Sequence, residues 1–157
     1  MTVSEHEYPY LLPQVDVLTK PFWDALREHK LAIQECGACG KLRHPPIGVC
    51  PECGSEAIAW RVMNGRGTTY SYIVVHQTAL PNWRGSVPYN IVMVALDEAP
   101  DIKLYGNVVD FDDAQLKVGL PVVASFDDVT SEDTILRWRV ANPALASARD
   151  CITERNT

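Results

Sequence analysis

Residues 35–55 read ECGACGKLRHPPIGVCPECGS. Four of the chain's five cysteines lie here, as Cys36-x-x-Cys39 and Cys50-x-x-Cys53, with ten residues between the pairs. Gly40 and Gly54 follow the pairs. Glycine takes positive φ at little cost, so each pair can turn tightly and aim backbone N–H groups at sulfur. Two such turns set four thiolates tetrahedrally around a metal, at ~2.3 Å from zinc. A catalytic zinc keeps one position open, whereas four cysteines close the shell. The expected centre is therefore structural zinc on Cys36, Cys39, Cys50 and Cys53; a rubredoxin-like iron centre would use the same ligands. His44, in RHPP, could replace one cysteine, but four cysteines suffice and it reads as a loop residue. The segment is too short and polar to build its own core. Metal binding can supply ~10–16 kcal/mol to fold it.

On the N-terminal side, Thr19 is placed to cap a short helix with Pro21 in its first turn. Phe22, Ala25, Leu26 and His29 recur at helical spacing and give one face. KLAIQEC then reads as a strand entering the first cysteine pair. Residues 1–18, with Tyr8, Pro9, Tyr10, Leu11, Leu12 and Pro13, read as an extended arm whose apolar residues favour docking.

Beyond the cysteines the period changes to two. Residues 58–77 read as one long strand, bent at Gly65 and Gly67. PYNIVMVALDE (88–98) is apolar at nearly every position, as expected of a strand covered on both faces. Residues 101–110 form a strand with a bend or bulge at Gly106. DDAQLKVG (112–119) is a helical turn or two ended by glycine. Residues 120–129 and 134–142 are the last strands, and Asn142 with Pro143 could open a terminal helix. Five strands with a helical insert between the third and fourth make an OB-fold, a small, partly open Greek-key barrel. The expected fold is mainly β. An arm (1–18), a helix with a rubredoxin-like zinc ribbon (19–56), a five-stranded OB-fold barrel (57–142) and a tail (143–157) follow in order.

The chain has 157 residues, 46% of them hydrophobic and 22% charged, and a formal net charge of −6. Four thiolates and one zinc would take this to about −8. Such acidity disfavours a nucleic-acid binder, which shows a basic face. No apolar run approaches the ~20 residues of a membrane span. The N-terminus has no secretory pattern. The cysteines then read as reduced thiols in the cytoplasm, and Cys151 as an incidental one.

No catalytic set emerges. The histidines are His6, His29, His44 and His76, and the nucleophile-elbow, phosphate-loop and zinc-protease patterns are missing. His76 at a strand end reads as packed or solvated rather than as a general base. Asp97, Glu98 and Asp101 around Pro100 read as a hairpin turn.

CGACGKLRHPPIGVCPECGS, NGRGTTYSYIVVH, PYNIVMVALDEAPDIKLYGNVVD and LKVGLPVVASF occur in that order over residues 18–140. This string resembles the zinc-ribbon, OB-fold family of acyl-CoA-associated proteins, long grouped as a domain of unknown function. The resemblance implies a non-catalytic accessory subunit bound to a thiolase-fold enzyme: a thiolase, a steroid side-chain retro-aldolase or a related synthase. Some members accompany hydratase-like partners. It implies a heterotetramer of two enzyme and two accessory chains, with the barrel helping to bind the coenzyme A portion of the substrate. No hydratase domain is fused here, so a separate subunit is expected. Arg66 in the Gly-x-Gly bend, and Trp83 and Arg84 in LPNWRG, are candidate coenzyme A contacts; Trp83 could stack on adenine or fill a partner's groove. Two other readings stand beside this one. A single-stranded nucleic-acid binder needs a basic groove with interleaved aromatics. An iron electron carrier would leave the barrel without a role.

Overall fold

The structure, a computed structural model, describes residues 8–141. His6, Cys151 and the helix proposed from Asn142 and Pro143 lie outside the described residues.

Residues 8–16 run without helix or strand and lead into α1 (Lys20–Arg27). Pro21 takes its expected place in the first turn. Thr19 does not cap with its side chain. Its hydroxyl turns back to Asp16 Oδ1 at 2.8 Å, and its N–H donates to the same oxygen at 2.7 Å. The Thr19 N–H then the Thr19 hydroxyl hold the Asp16 carboxyl below its ordinary range. Phe22 and Leu26 form the buried face. His29 lies beyond the helix at φ 54°, not on that face. Its ring stacks on Phe126 and bonds Asp128 at 3.0 Å.

β1 (Leu31–Cys36), β2 (Leu42–Arg43) and β3 (Ile58–Met63) make an antiparallel sheet in the order β2-β1-β3. The stretch read as one bent strand is thus two. β3 pairs β1 from Leu31↔Met63 to Cys36↔Ile58, and β4 (Arg66–Val75) starts a second sheet after Asn64 and Gly65. Gly65 has φ +72°, which favours glycine and ends the first strand.

The second sheet adds β5 (Tyr89–Leu96), β6 (Ala99–Gly106), β7 (Pro121–Asp128) and β8 (Thr134–Val140), in the order β6-β5-β4-β7-β8. Short 3-10 turns at Pro81–Trp83 and Asp113–Gln115 lie in its connections, the second where the helical insert was expected. A parallel bridge from Val108 to Trp138 curls the sheet into an OB-like half-barrel. Gly106 is neither bend nor bulge; a Cβ there would lie 2.8 Å from the Trp138 ring, so glycine lets the indole in. Gly67 plays the same part at the β4–β5 crossing, where a Cβ would meet Ala95 O at 2.6 Å.

Side chains of α1, β1 and the curled sheet share one core. Leu26, Leu31 and Ile33 join Val92, Val94, Leu104, Val122 and Trp138. β5 departs from its sequence reading: Asn90, Val92, Val94 and Leu96 are buried, but Tyr89, Ile91, Met93 and Ala95 on its other face are only half-buried.

Candidate functional site

The two cysteine turns repeat one hydrogen-bond pattern at a shift of 14 residues. Cys36 N–H donates to Lys41 O at 2.9 Å, and Gly40 N–H donates to Cys36 O at 2.8 Å. Cys50 N–H donates to Ser55 O at 2.9 Å, and Gly54 N–H donates to Cys50 O at 2.8 Å. Gly40 and Gly54 have φ of 74° and 72°, the left-handed conformation that these turns require. β1 and β2 hold the first turn, while Gly37 N–H ties its start to Ala57 O at 2.9 Å.

All four sulfurs lie within 4.8 Å of one another. Cys36 and Cys53 are 3.6 Å apart, and Cys39 and Cys50 3.7 Å. Those separations far exceed the ~2.05 Å of a disulfide. They match the edge of a tetrahedron with ~2.3 Å metal–sulfur bonds, about 3.8 Å. Cys36 and Cys50 are buried, Cys39 and Cys53 exposed.

The N–H groups of Cys39 and Ala38 lower the Cys36 thiol to about 6. At Cys50 burial opposes ionisation, but the N–H groups of Cys53 and Glu52 outweigh it. At Cys53 the Ser55 N–H favours the thiolate, yet the Cys39 and Cys36 thiols hold the proton on, up to about 12. The cluster is therefore prepared for part ionisation only. A divalent cation is what would let all four become thiolates, so the donor set fits the metal.

His44 is not among these groups. It packs on Phe22, with ring centroids 5.2 Å apart, and burial lowers its pKa. The protonated ring is thus disfavoured in the folded chain. Its contribution to stability is full above the unfolded value near 6.5 and is lost as pH falls through the lower folded value. Thermal melts from pH 7.5 to 5 should show this loss, and His44→Phe should flatten that part of the profile.

The remaining candidates do not form one site. Arg66 opens β4 at its pairing with Val123, whereas Trp83 packs on Tyr89, which pairs with Val75 at the far end of that strand. Nine residues of strand separate the two ends, roughly 30 Å. Arg84 is exposed beside Trp83, and His76 is exposed after β4. Trp83 lies between Tyr10 and Tyr89, at 4.1 and 4.9 Å between ring centroids. These rings border a cleft of about 270 Å³ that reaches Asn107 and Arg137. Arg137 donates to Asn107 Oδ1 and, at 3.3 Å, to Asp127. Sequence reasoning missed this network because its members stand apart in the chain, Asn107 after β6, Asp127 in β7 and Arg137 in β8. Asp97 and Glu98 form the expected hairpin turn, whereas Pro100 and Asp101 already belong to β6; the Glu98 carboxylate accepts from Asn64 N–H.

Two family models cover consecutive stretches. Residues 23–59 match the rubredoxin-like zinc ribbon domain of ChsH2, and residues 60–127 match its C-terminal OB-fold domain. A solved chain described as Ltp2-ChsH2(DUF35) aldolase superposes with a TM-score of 0.76 at 33% identity, over 83% of this chain and 99% of that one. The chain belongs to the ChsH2 (DUF35) family. The ribbon match spans the four cysteines, which lie close enough together to hold a metal ion. Among curated ChsH2-like relatives, the probable enoyl-CoA hydratase alpha subunit of Thermomonospora curvata is 37% identical over 125 residues, 78% of this chain and 37% of its own length. The 3-oxo-4,17-pregnadiene-20-carboxyl-CoA hydratase alpha subunit of Mycobacterium tuberculosis is 36% identical over 107 residues, 68% of this chain and 33% of its own length. The chain spans about a third of the length of these two relatives.

Proposed function

We propose that this chain is a non-catalytic accessory subunit of an acyl-CoA-processing complex. It docks on a thiolase-fold enzyme, a thiolase or retro-aldolase, and helps to bind the coenzyme A thioester or to shape the partner's active site. One observation carries the reading: the chain overlays nearly the whole of the ChsH2(DUF35) chain in an aldolase at 33% identity. The hydratase alpha-subunit relatives support an acyl-CoA setting. The metal site supports a structural rather than a reactive centre, because its four cysteines leave no position open.

Cys36, Cys39, Cys50 and Cys53 are the proposed ligands of the zinc. The zinc would cross-link the ribbon, and the chain's own residues aim backbone N–H groups at its sulfurs. Trp83 with Arg84 at one end of β4, and Arg66 at the other, are proposed as separate coenzyme A contacts. No helix of the described residues is long and apolar enough to cross a membrane; a cytoplasmic heterotetramer is the proposed setting. A nucleic-acid role is disfavoured by the net charge of −6.

The test is a tagged pull-down from the native host at physiological salt, with mass spectrometry of the proteins recovered. A thiolase-fold enzyme in stoichiometric amount is expected, and apolar docking should keep it bound through moderate salt. Recovery of the chain alone, or with nucleic acid that nuclease removes, would overturn the reading.

A further inference from the structure

The half-buried face of β5 is the middle of a larger surface. Register places Met93 beside Ser71 and Tyr105, Ile91 beside Ile73, and Ala95 beside Lys103, all on one side of the sheet. Tyr70 is the extra residue where the register shifts between Thr69 and Ser71, and Lys103 Nζ sits 4.8 Å from its ring centroid. The opposite side of β5 faces the core, so this is the convex outside of the curled sheet. Tyr70, Ile73 and Tyr105 are 57%, 56% and 66% exposed, and nothing among the described residues covers them. The strand edge beside them is open too, because β4 pairs β7 only from Arg66 to Thr68, Thr69 bonds Gly119 and Leu120, and from Ser71 to Val75 β4 pairs β5 alone.

The β5 sequence is that of a strand covered on both faces, yet this chain covers one. The equivalent strands of OB barrels form their binding face, and here its cations are Lys103, already over Tyr70, and Arg66 at the start of β4, with no run of cations joining them. A nucleic-acid backbone finds no basic track there. Area and shape exclude a second copy. Three strands over six residues present roughly 15 by 20 Å, on the order of 300 Å². Two convex copies would bury at most about 600 Å² together, short of the ~1,200 Å² of a stable interface. A concave surface on a larger protein can wrap the face, the open edge and the Trp83 loop together.

We propose that the outer face of β4, β5 and β6 is the surface by which this chain enters an apolar cleft of a larger partner protein. This rests on the accessory-subunit reading and gives that reading its interface.

The experiment uses the full chain with zinc and the thiolase-fold enzyme recovered with it, and measures their Kd by calorimetry. Ile73→Asp combined with Tyr105→Asp should weaken binding about 100-fold, as expected when charge enters the centre of an apolar interface. Val62→Asp, at an exposed apolar position on β3 of the other sheet, should stay within about threefold. Unchanged circular dichroism and metal content exclude misfolding of the variants. Hydroxyl-radical footprinting of the wild-type complex needs no variant and should show Tyr70, Met93 and Tyr105 protected. Wild-type affinity in the double variant, or unchanged labelling of those residues, overturns the proposal and leaves the accessory-subunit reading standing. Self-association abolished by Ile73→Asp overturns it in favour of a second copy, and an oligonucleotide competing for the face in favour of nucleic acid. If no thiolase-fold enzyme binds the wild-type chain, the accessory-subunit reading fails and this interface with it.

Discussion

Cys39→Ser is expected to cost the chain its ribbon and its partner together. Cys39 supplies one corner of the sulfur cluster, and its sulfur lies 3.7 Å from Cys50. A serine hydroxyl does not ionise at neutral pH and is a poor match for a metal site of thiolates. Structural zinc contributes ~10–16 kcal/mol of apparent folding free energy. That is comparable to the ~5–15 kcal/mol net stability of an ordinary domain. Few other contacts replace it, since residues 44–57 contain no helix or strand. The loss should spread, because Leu31 and Ile33 of the ribbon strand lie in the core shared with the sheet. Metal content by mass spectrometry, melting with and without chelator, and partner binding are the three readouts. A metal-free variant that still melts like the wild type and docks with full affinity would contradict the structural role.

Trp138→Ala should be the most damaging change away from the metal. The side chain is fully buried in the centre of the core. Its backbone also holds the curl of the sheet: its N–H donates to Asn107 O and its O accepts from Val109 N–H, each at 2.9 Å. Truncating a buried tryptophan costs about 3–5 kcal/mol. For a domain of this size that is on the order of 10–20 °C in Tm. Trp138→Phe should cost much less, because the indole Nε1 is buried without a partner among the described residues and phenylalanine removes it. Gly106→Ala tests the same contact from the other side. Its Cβ would press on the indole, and overpacking of this kind costs about 1–3 kcal/mol. A Phe variant as unstable as the Ala variant would mean that volume is not what matters at this position.

The features legible in the sequence are the local ones. Two cysteine pairs and their glycines encode each turn within six residues, and both the cluster and its positive φ values follow. The buried helix face of Phe22 and Leu26 was legible for the same reason. What the pattern could not carry was partnership over distance. Alternation at 58–63 marks a strand, but nothing local says that its neighbour is Leu31–Cys36 rather than the next sheet. Trp83 and Arg66 stand seventeen positions apart in the chain, and only the length of β4 shows that they cannot share a small ligand. β5 is the instructive departure. Its residues are apolar on both sides, as in a doubly covered strand, but a single chain reveals only the cover that it supplies itself.

The junction of the two family models, between residues 59 and 60, falls inside β3, which pairs with β1 along all six of its residues. A ribbon ended there would keep two of those pairings, and a barrel begun there would carry away the other four with nothing to pair them. Recombination or engineering that exchanges ribbons between relatives must therefore cut after Met63, at Asn64 and Gly65, so that the third ribbon strand travels with the cysteines. Even then the transplanted piece brings Leu31 and Ile33, which must fit the host's core.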